Sequence, residues 1–96
     1  MRADYDSEAD ALDIEFFRFE RLERQDSVHD TFCQVGFARG RPSCVEVLNP
    51  AENLDLLDVV AERYALDGAA LRAAAQAALA APDRVVVLEV AAPVAA

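Results

Sequence analysis

Apolar and charged residues alternate near the start of the chain with the two-residue period of a β-strand. Leu12 and Ile14 are each followed by an acidic residue, which predicts a strand over residues 11–18 with one buried face. Residues 2–6 precede this strand across the polar turn 7–10, and we expect the two segments to pair as a hairpin. The mixed-charge segment that follows is predicted to be either a prolonged edge strand or a loop.

A second hairpin is predicted around Gly40, where residues 31–38 and 43–48 have strand-like composition. Glycine suits a turn that needs a positive φ. The simplest register places Phe37 opposite Cys44 and keeps the two cysteine sulfurs about 13 Å apart along the strands. We therefore expect no disulfide within one chain.

Helix signals begin at Asn49, a capping residue followed by proline, and they predict a first helix that ends near Leu66. Asn53 is an alternative cap for this helix. Asp67 should cap a second, alanine-rich helix over residues 68–81. The side chains expected to form the buried stripe of the second helix are Leu71, Ala75, Ala78 and Leu79.

Residues 85–90 form a β-branched run that is nearly apolar on both faces. This run predicts a final strand, which joins either the sheet of this chain or that of a partner. Together the elements predict an α+β domain, in which a small antiparallel sheet of two hairpins is followed by two helices and a final strand. Residues 1–90 would form this single domain, and residues 91–96 a flexible tail.

Charge narrows the range of partners, because the 96 residues include 18 acidic and 9 basic side chains, for a net charge of -9. Nucleic acids and anionic membranes bind through neutralisation of phosphates by Lys and Arg, so we expect neither as a partner. No run approaches the roughly 20 apolar residues that span a bilayer. The acidic N-terminus also lacks the pattern of a signal peptide, and a cytoplasmic location with reduced cysteines is expected.

Two short motifs resemble those of a known family. The first covers residues 5–12 and is followed by Ile14, and the second covers residues 40–48, with the sequence Gly-Arg-Pro-Ser-Cys-Val-Glu-Val-Leu. In order and spacing they are similar to the DUF2283 family of small uncharacterised bacterial proteins, over residues 4–49. The resemblance implies a small antiparallel sheet and no established activity. Genes of that family frequently lie beside those of small toxin-like proteins, so the resemblance also raises the expectation of a protein-binding role.

Acidic residues at positions 4, 6, 8, 10 and 15 have a spacing similar to that of a calcium-binding loop. Ala9, however, stands where such a loop needs glycine, and the flanking sequence is strand-like. The pattern therefore favours a turn whose side chains cap local backbone groups.

His29, Cys33 and Cys44 include the residue types of a thiol enzyme or a zinc site. One histidine and two cysteines do not provide the usual ligands of a structural zinc site, and both thiols are predicted to be small buried residues of the sheet. We therefore predict no catalytic residue, no metal and no cofactor.

Glu46 is the most unusual charge of the chain, since Val45 and Val47 flank it. It is interpreted either as a solvent-facing residue or partner of an arginine, or as a ligand-binding carboxylate with a raised pKa. The arginines of residues 18–24 and 39–41 are the main basic clusters. Glutamates are interleaved with the first cluster, which predicts a solvated surface of mixed charge.

These observations predict a non-enzymatic protein that binds another protein or itself, with a homodimer as the first hypothesis, because apolar segments exceed what one small core needs. One alternative is a small-ligand or divalent-metal-binding protein that uses Glu46 and the N-terminal acids. Another is the neutralisation of a toxin-like partner. The side chains expected to form the interface are Val85, Val87, Leu88, Leu71 and Leu79.

Overall fold

A computed structural model of the protein describes residues 1–88, which form a six-stranded antiparallel sheet with three helices and confirm the expected α+β class. The strands are β1 (Arg2–Asp6), β2 (Ala11–Glu15), β3 (Arg24–His29), β4 (Cys33–Ala38), β5 (Arg41–Leu48) and β6 (Val85–Val87). The helices are α1 (Pro50–Asn53), α2 (Leu56–Tyr64) and α3 (Gly68–Ala80). Across the sheet the strands follow the order β3-β4-β5-β2-β1-β6.

The hydrophobic core lies between one face of the sheet and helices α2 and α3. Side chains alternate between the faces of each strand, so that Leu12 and Ile14 of β2 and Val45 and Val47 of β5 are fully buried on the helix side. Leu71 of α3 is equally buried against them. The other side, called the open face below, carries no helix from the described part of the chain.

The first hairpin has the expected pairing, with Tyr5 opposite Leu12. Strand β2 ends at Glu15, earlier than predicted, and residues 16–23 form a loop. This loop leads into β3, a strand that was not predicted. Five of the six residues of β3 are polar. Backbone pairing with β4 holds this strand at one edge of the sheet.

The second hairpin is present, but its register differs by one residue from the predicted one. Cys44 lies opposite Gly36, because an irregularity between Gly36 and Phe37 places Phe37 opposite Pro42. Cys33 is buried on the helix side, whereas Cys44 is half-buried on the open face. Both cysteines are free thiols, since the sheet itself lies between them.

The predicted first helix is broken in two. Asn49 has a left-handed backbone (φ 48°), and its side chain caps nothing, while the amide of Asn53 donates to the carbonyls of Leu48 and Asn49. Helix α2 then ends at Tyr64, before the predicted Leu66, because Ala65 is left-handed (φ 55°). This turn directs Leu66 back into the core, where 8% of it remains exposed.

Helix α3 is close to its predicted extent and has the predicted cap. The Asp67 carboxylate accepts a hydrogen bond from the backbone amide of Ala70 at 3.2 Å. Leu79 is only half-buried, and Ala74 takes its expected place in the buried stripe. The fully buried residues of α3 are Leu71, Ala74, Ala75 and Ala78.

The final strand pairs with β1 of its own chain, where Val86 lies opposite Ala3. The described strand stops at Val87, and the remaining predicted residues 89–90 and the predicted tail 91–96 lie outside the described residues. Two hydrogen bonds hold its start to the β1–β2 turn: the Ser7 hydroxyl and the Ser7 amide donate to the Asp83 carboxylate at 2.6 and 2.8 Å.

We expect the substitution Ser7→Ala to loosen β6 without unfolding the protein, because it removes one of these two hydrogen bonds from the end of a short edge strand. Hydrogen exchange should show β6 amides exchanging several-fold faster, with little change in the melting temperature. The control is Glu8→Ala in the same turn, since the Glu8 side chain has no hydrogen-bond partner among residues 1–88. Equal effects of the two substitutions would contradict this account.

Candidate functional site

The open face carries three carboxylates in one cross-strand row. Asp4 of β1 lies directly opposite Asp13 of β2, and Asp13 lies directly opposite Glu46 of β5. Side chains at such positions are about 5 Å apart at their Cβ atoms, and like charges there repel. We call Asp4, Asp13 and Glu46 the carboxylate row. None of the three forms an ion pair within residues 1–88.

The middle carboxylate of the row responds most strongly to this crowding. The pKa of Asp13 is raised from 3.8 to about 6, first because neighbouring protein displaces water and then because Glu46 and Asp4 repel its charge. Asp13 is nevertheless still accessible from the open side. Part of its displaced hydration can therefore be restored by solvent or by a ligand.

A pocket of about 410 Å³ opens above the carboxylate row. Phe19 and Leu22, from the loop over residues 16–23, form one apolar wall, and Val85 of β6 lies on the other side. The next cross-strand row, closer to this loop, supplies Arg2 and Glu15, which lie opposite each other without forming an ion pair. The pocket thus combines an acidic floor with apolar walls.

Leu22 can form this wall only because position 36 is a glycine. A Cβ atom added at Gly36 would lie 2.7 Å from Cys44 Sγ and 2.8 Å from Leu22 Cδ2. Contacts this short cannot persist, so any side chain at this position would displace Leu22 or Cys44. The loop and the floor of the pocket therefore meet at Gly36.

The two thiols do not form a nucleophilic centre. Burial raises the pKa of Cys33 to about 11, and burial also raises the pKa of Cys44, whose thiol is further opposed by nearby carboxylates. His29 is exposed at the end of β3, and no hydrogen bond joins it to either thiol within residues 1–88. Both sulfurs remain protonated at neutral pH.

Glu46 is half-buried on the open face and lies in the pocket, as the ligand interpretation requires. Of the N-terminal acids expected beside it, Asp4 and Glu15 line the same pocket, whereas Asp6 and Asp10 do not. Asp6 accepts hydrogen bonds from the amides of Glu8 and Ala9 in the turn, and Asp10 accepts one from the Tyr5 hydroxyl. These acids serve local structure at the end of the first hairpin. Across residues 1–88, no group of three or more His, Cys, Asp or Glu side chains is arranged to hold a metal ion.

The predicted interface residues are not all accessible. Val85 and Val87 are 49% and 68% exposed, whereas Leu71 is fully buried in the core and cannot contact a partner. Leu79 and Leu88 are half-buried. Among these five residues, the accessible apolar surface is therefore concentrated on the open side of β6.

Glu46 and the N-terminal acids, which include Asp4, were candidates from the sequence, but Asp13 between them was not singled out. The register of the first hairpin places Asp4 opposite Asp13, so this part of the carboxylate row could have been predicted from the hairpin alone. The other part depends on the pairing of β2 with β5, for which the sequence holds no local signal.

None of the helices in residues 1–88 is long and apolar enough to cross a membrane. Comparisons with protein-family models, curated proteins and solved structures find no match to this chain. The resemblance to DUF2283 stays a prediction.

Proposed function

We propose that the protein is a non-enzymatic binding module whose pocket on the open face receives a positively charged group on an apolar stem. The observation that carries this proposal is the carboxylate row, which lines a pocket without an ion-pair partner from the described chain. The natural form of such a group in a protein partner is an arginine or lysine side chain. A small alkylamine or guanidine has the same chemistry.

The charge preference follows from electrostatics. Three like charges on directly opposed positions destabilise the sheet, and one bound cation would be attracted by all of them. The raised pKa of Asp13 supports this argument, because a bound cation would favour its ionised form. Binding should therefore strengthen as the pH rises through about 6.

The preference for an apolar stem follows from the walls. Phe19, Leu22 and Val85 offer apolar surface on both sides of the floor, and long basic side chains bury their methylene groups in such surroundings while the charge reaches a polar partner. The pocket volume of about 410 Å³ is within the usual range for small-ligand sites. A hydrated divalent ion has no apolar surface to bury against these walls.

The proposal can be tested by titrating the ¹⁵N-labelled protein with butylguanidinium and, separately, with a capped Leu-Arg-Leu peptide. Both should shift the backbone resonances of the carboxylate row. At least tenfold tighter binding of the peptide would indicate a protein partner, whereas equal affinities would indicate a small-molecule ligand. Absence of any shift at millimolar concentrations of both probes would refute the proposal.

The variant Asp13→Asn with Glu46→Gln should weaken binding of either probe about tenfold or more, since it removes two of the three charges. Its control is Glu8→Gln with Asp30→Asn, which changes the net charge equally at exposed turn positions outside the pocket. An equal loss of affinity in the control would show that overall charge, and not the pocket, attracts the probes.

The neutralisation of a toxin-like partner remains a narrower form of this proposal, since it would require the partner to present a basic side chain to the pocket. Co-expression with the product of the adjacent gene tests it, and failure to form a complex would remove it. A cytoplasmic location is part of the same proposal and is supported by the two free thiols.

A further inference from the structure

The two ends of the sheet differ in charge. At one end, called the turn end, hydrogen bonds tie the strand connections together: Asn49 N donates to Asp10 O, Leu48 N to Phe32 O, and Ser7 to Asp83. Arg84 is the one basic residue in the described connections at this end. The acidic residues in the same connections are Glu8, Asp10, Asp30 and Asp83, and Asp6 lies beside them as the last residue of β1.

The opposite end, called the loop end, collects arginines that are scattered in the sequence. It is formed by the loop over residues 16–23, the start of β3 and the β4–β5 turn, which are joined where Glu23 N donates to Phe37 O and Gly40 N donates to Glu23 Oε1. The acidic residues of these segments are Glu20, Glu23 and Asp26, and Asp26 forms an ion pair with Arg24 at 3.1 Å. The arginines, all exposed, are Arg18, Arg21, Arg24, Arg39 and Arg41.

From the sequence, these arginines are predicted to form a solvated surface of mixed charge, and all five are exposed among acidic residues. The fold in addition brings five of the nine arginines together at one end, against Glu20, Glu23 and Asp26, in a chain whose net charge is -9. The two ends of the protein therefore carry charges of opposite sign.

Two of the arginines are held in place by aromatic rings. The guanidinium of Arg41 lies 3.9 Å from the centre of the Phe17 ring, and that of Arg24 lies 3.9 Å from the centre of the Phe37 ring. Stacking of this kind fixes the planar group. Arg24 Nη1 also donates to Asp26 Oδ1 at 3.1 Å, whereas the Arg41 guanidinium has no side-chain hydrogen bond within residues 1–88 and keeps its N–H groups free to donate. Less side-chain entropy is then lost when a carboxylate binds.

We infer that the partner of the loop end is the turn end of a second copy of this chain. Charge complementarity favours this contact, whereas contacts between two equal ends would be repulsive. The Cα atoms extend over 31 × 31 × 25 Å, so an end can offer several hundred Å², similar to what small specific interfaces bury on each partner.

Such a contact joins two different surfaces of the molecule. Each added copy therefore leaves one turn end and one loop end unoccupied, and the copies would form open rows unless the rotation between them closes a ring. The carboxylate row lies on the open face, outside this contact, whereas the loop over residues 16–23 contributes both to the loop end and to a wall of the pocket. Self-association and cation binding are tested by separate measurements, so failure of one leaves the other standing.

Sedimentation velocity at about 200 µM protein tests the inference. In 20 mM NaCl we expect dimers and longer species, and in 500 mM NaCl a monomer of 10.4 kDa, because exposed charges are screened at high salt. A monomer at low salt, or assembly that persists at high salt, would overturn the inference.

Variants with altered charge at either end locate the contact. Arg18→Glu with Arg21→Glu should abolish assembly through the loop end, and Glu8→Arg with Asp30→Asn should abolish it through the turn end. A mixture of the two variants retains one intact end of each kind, so it should form 1:1 dimers that do not grow. Dimers in the mixture also show that both variants are folded, and their absence would count against the inference.

The control is Arg63→Glu with Arg84→Glu, which changes the net charge by the same amount as the loop-end variant. Arg63 lies on α2, and Arg84 is at the turn end, where the substitution adds negative charge. This variant should still assemble at low salt. Loss of assembly in the control would mean that net charge alone governs association, which contradicts the inference.

Discussion

Leu71→Ala is expected to lower the free energy of unfolding by about 2–5 kcal/mol, as is typical when a fully buried leucine is truncated to alanine. Leu71 has no exposed surface and packs in the core beneath α3, where its buried neighbours on the same helix are all alanines. Leu71 is therefore the one large apolar side chain that α3 buries fully in the core. Small domains have only about 5–15 kcal/mol of stability in total, so this loss is severe.

Urea unfolding followed by circular dichroism would measure the effect of Leu71→Ala. The matched control is Leu79→Ala, the same substitution on the same helix at a half-buried position. Its loss should be less than half as large, because less apolar surface leaves water at Leu79 and a smaller cavity remains. Equal losses would show that both leucines contribute similarly and that the described packing of α3 is incorrect.

Asp13→Asn is expected to stabilise the protein at pH 7, by about 1 kcal/mol. The shift of the Asp13 pKa from 3.8 to about 6 corresponds to nearly 3 kcal/mol if taken in full, but Asp13 is accessible and solvent screens much of this effect. The folded protein holds the Asp13 proton more tightly than the unfolded chain. The stabilising contribution of the Asp13 proton is therefore full below about pH 4 and is lost as the pH rises through about 6.

Melting temperatures of the wild type and of Asp13→Asn between pH 4 and pH 8 would measure this effect. The advantage of the variant should be largest above pH 7 and should be small near pH 4, where Asp13 is protonated in the folded protein and partly protonated in the unfolded chain. Glu8→Gln removes one acid from the exposed turn and should show no comparable dependence on pH. A constant advantage of Asp13→Asn at every pH would contradict the role of its charge.

The elements that were predicted correctly are those with local signals. The first hairpin follows from alternation on both sides of a polar turn, and α3 follows from the Asp67 cap, its alanine content and Pro82 after its end. The pairing of residues within these elements needs no information from distant parts of the chain.

The elements that were missed depend on the rest of the fold. Strand β3 holds a single apolar side chain, Val28, and exists because β4 offers it a free edge. The break between α1 and α2 occurs at Leu54 and Asp55, where neither glycine nor proline marks it. The carboxylate row likewise appears only when β2 pairs with β5, so its chemistry could not be read from one segment.

The separation of the two thiols by the sheet has a practical consequence. Cys33 is sealed in the core, while Cys44 lies in the lining of the pocket and is half-buried. A thiol-directed fluorophore or spin label would thus attach to the native protein at one position, beside the carboxylate row. Such a label would report the arrival of a ligand from within the site itself.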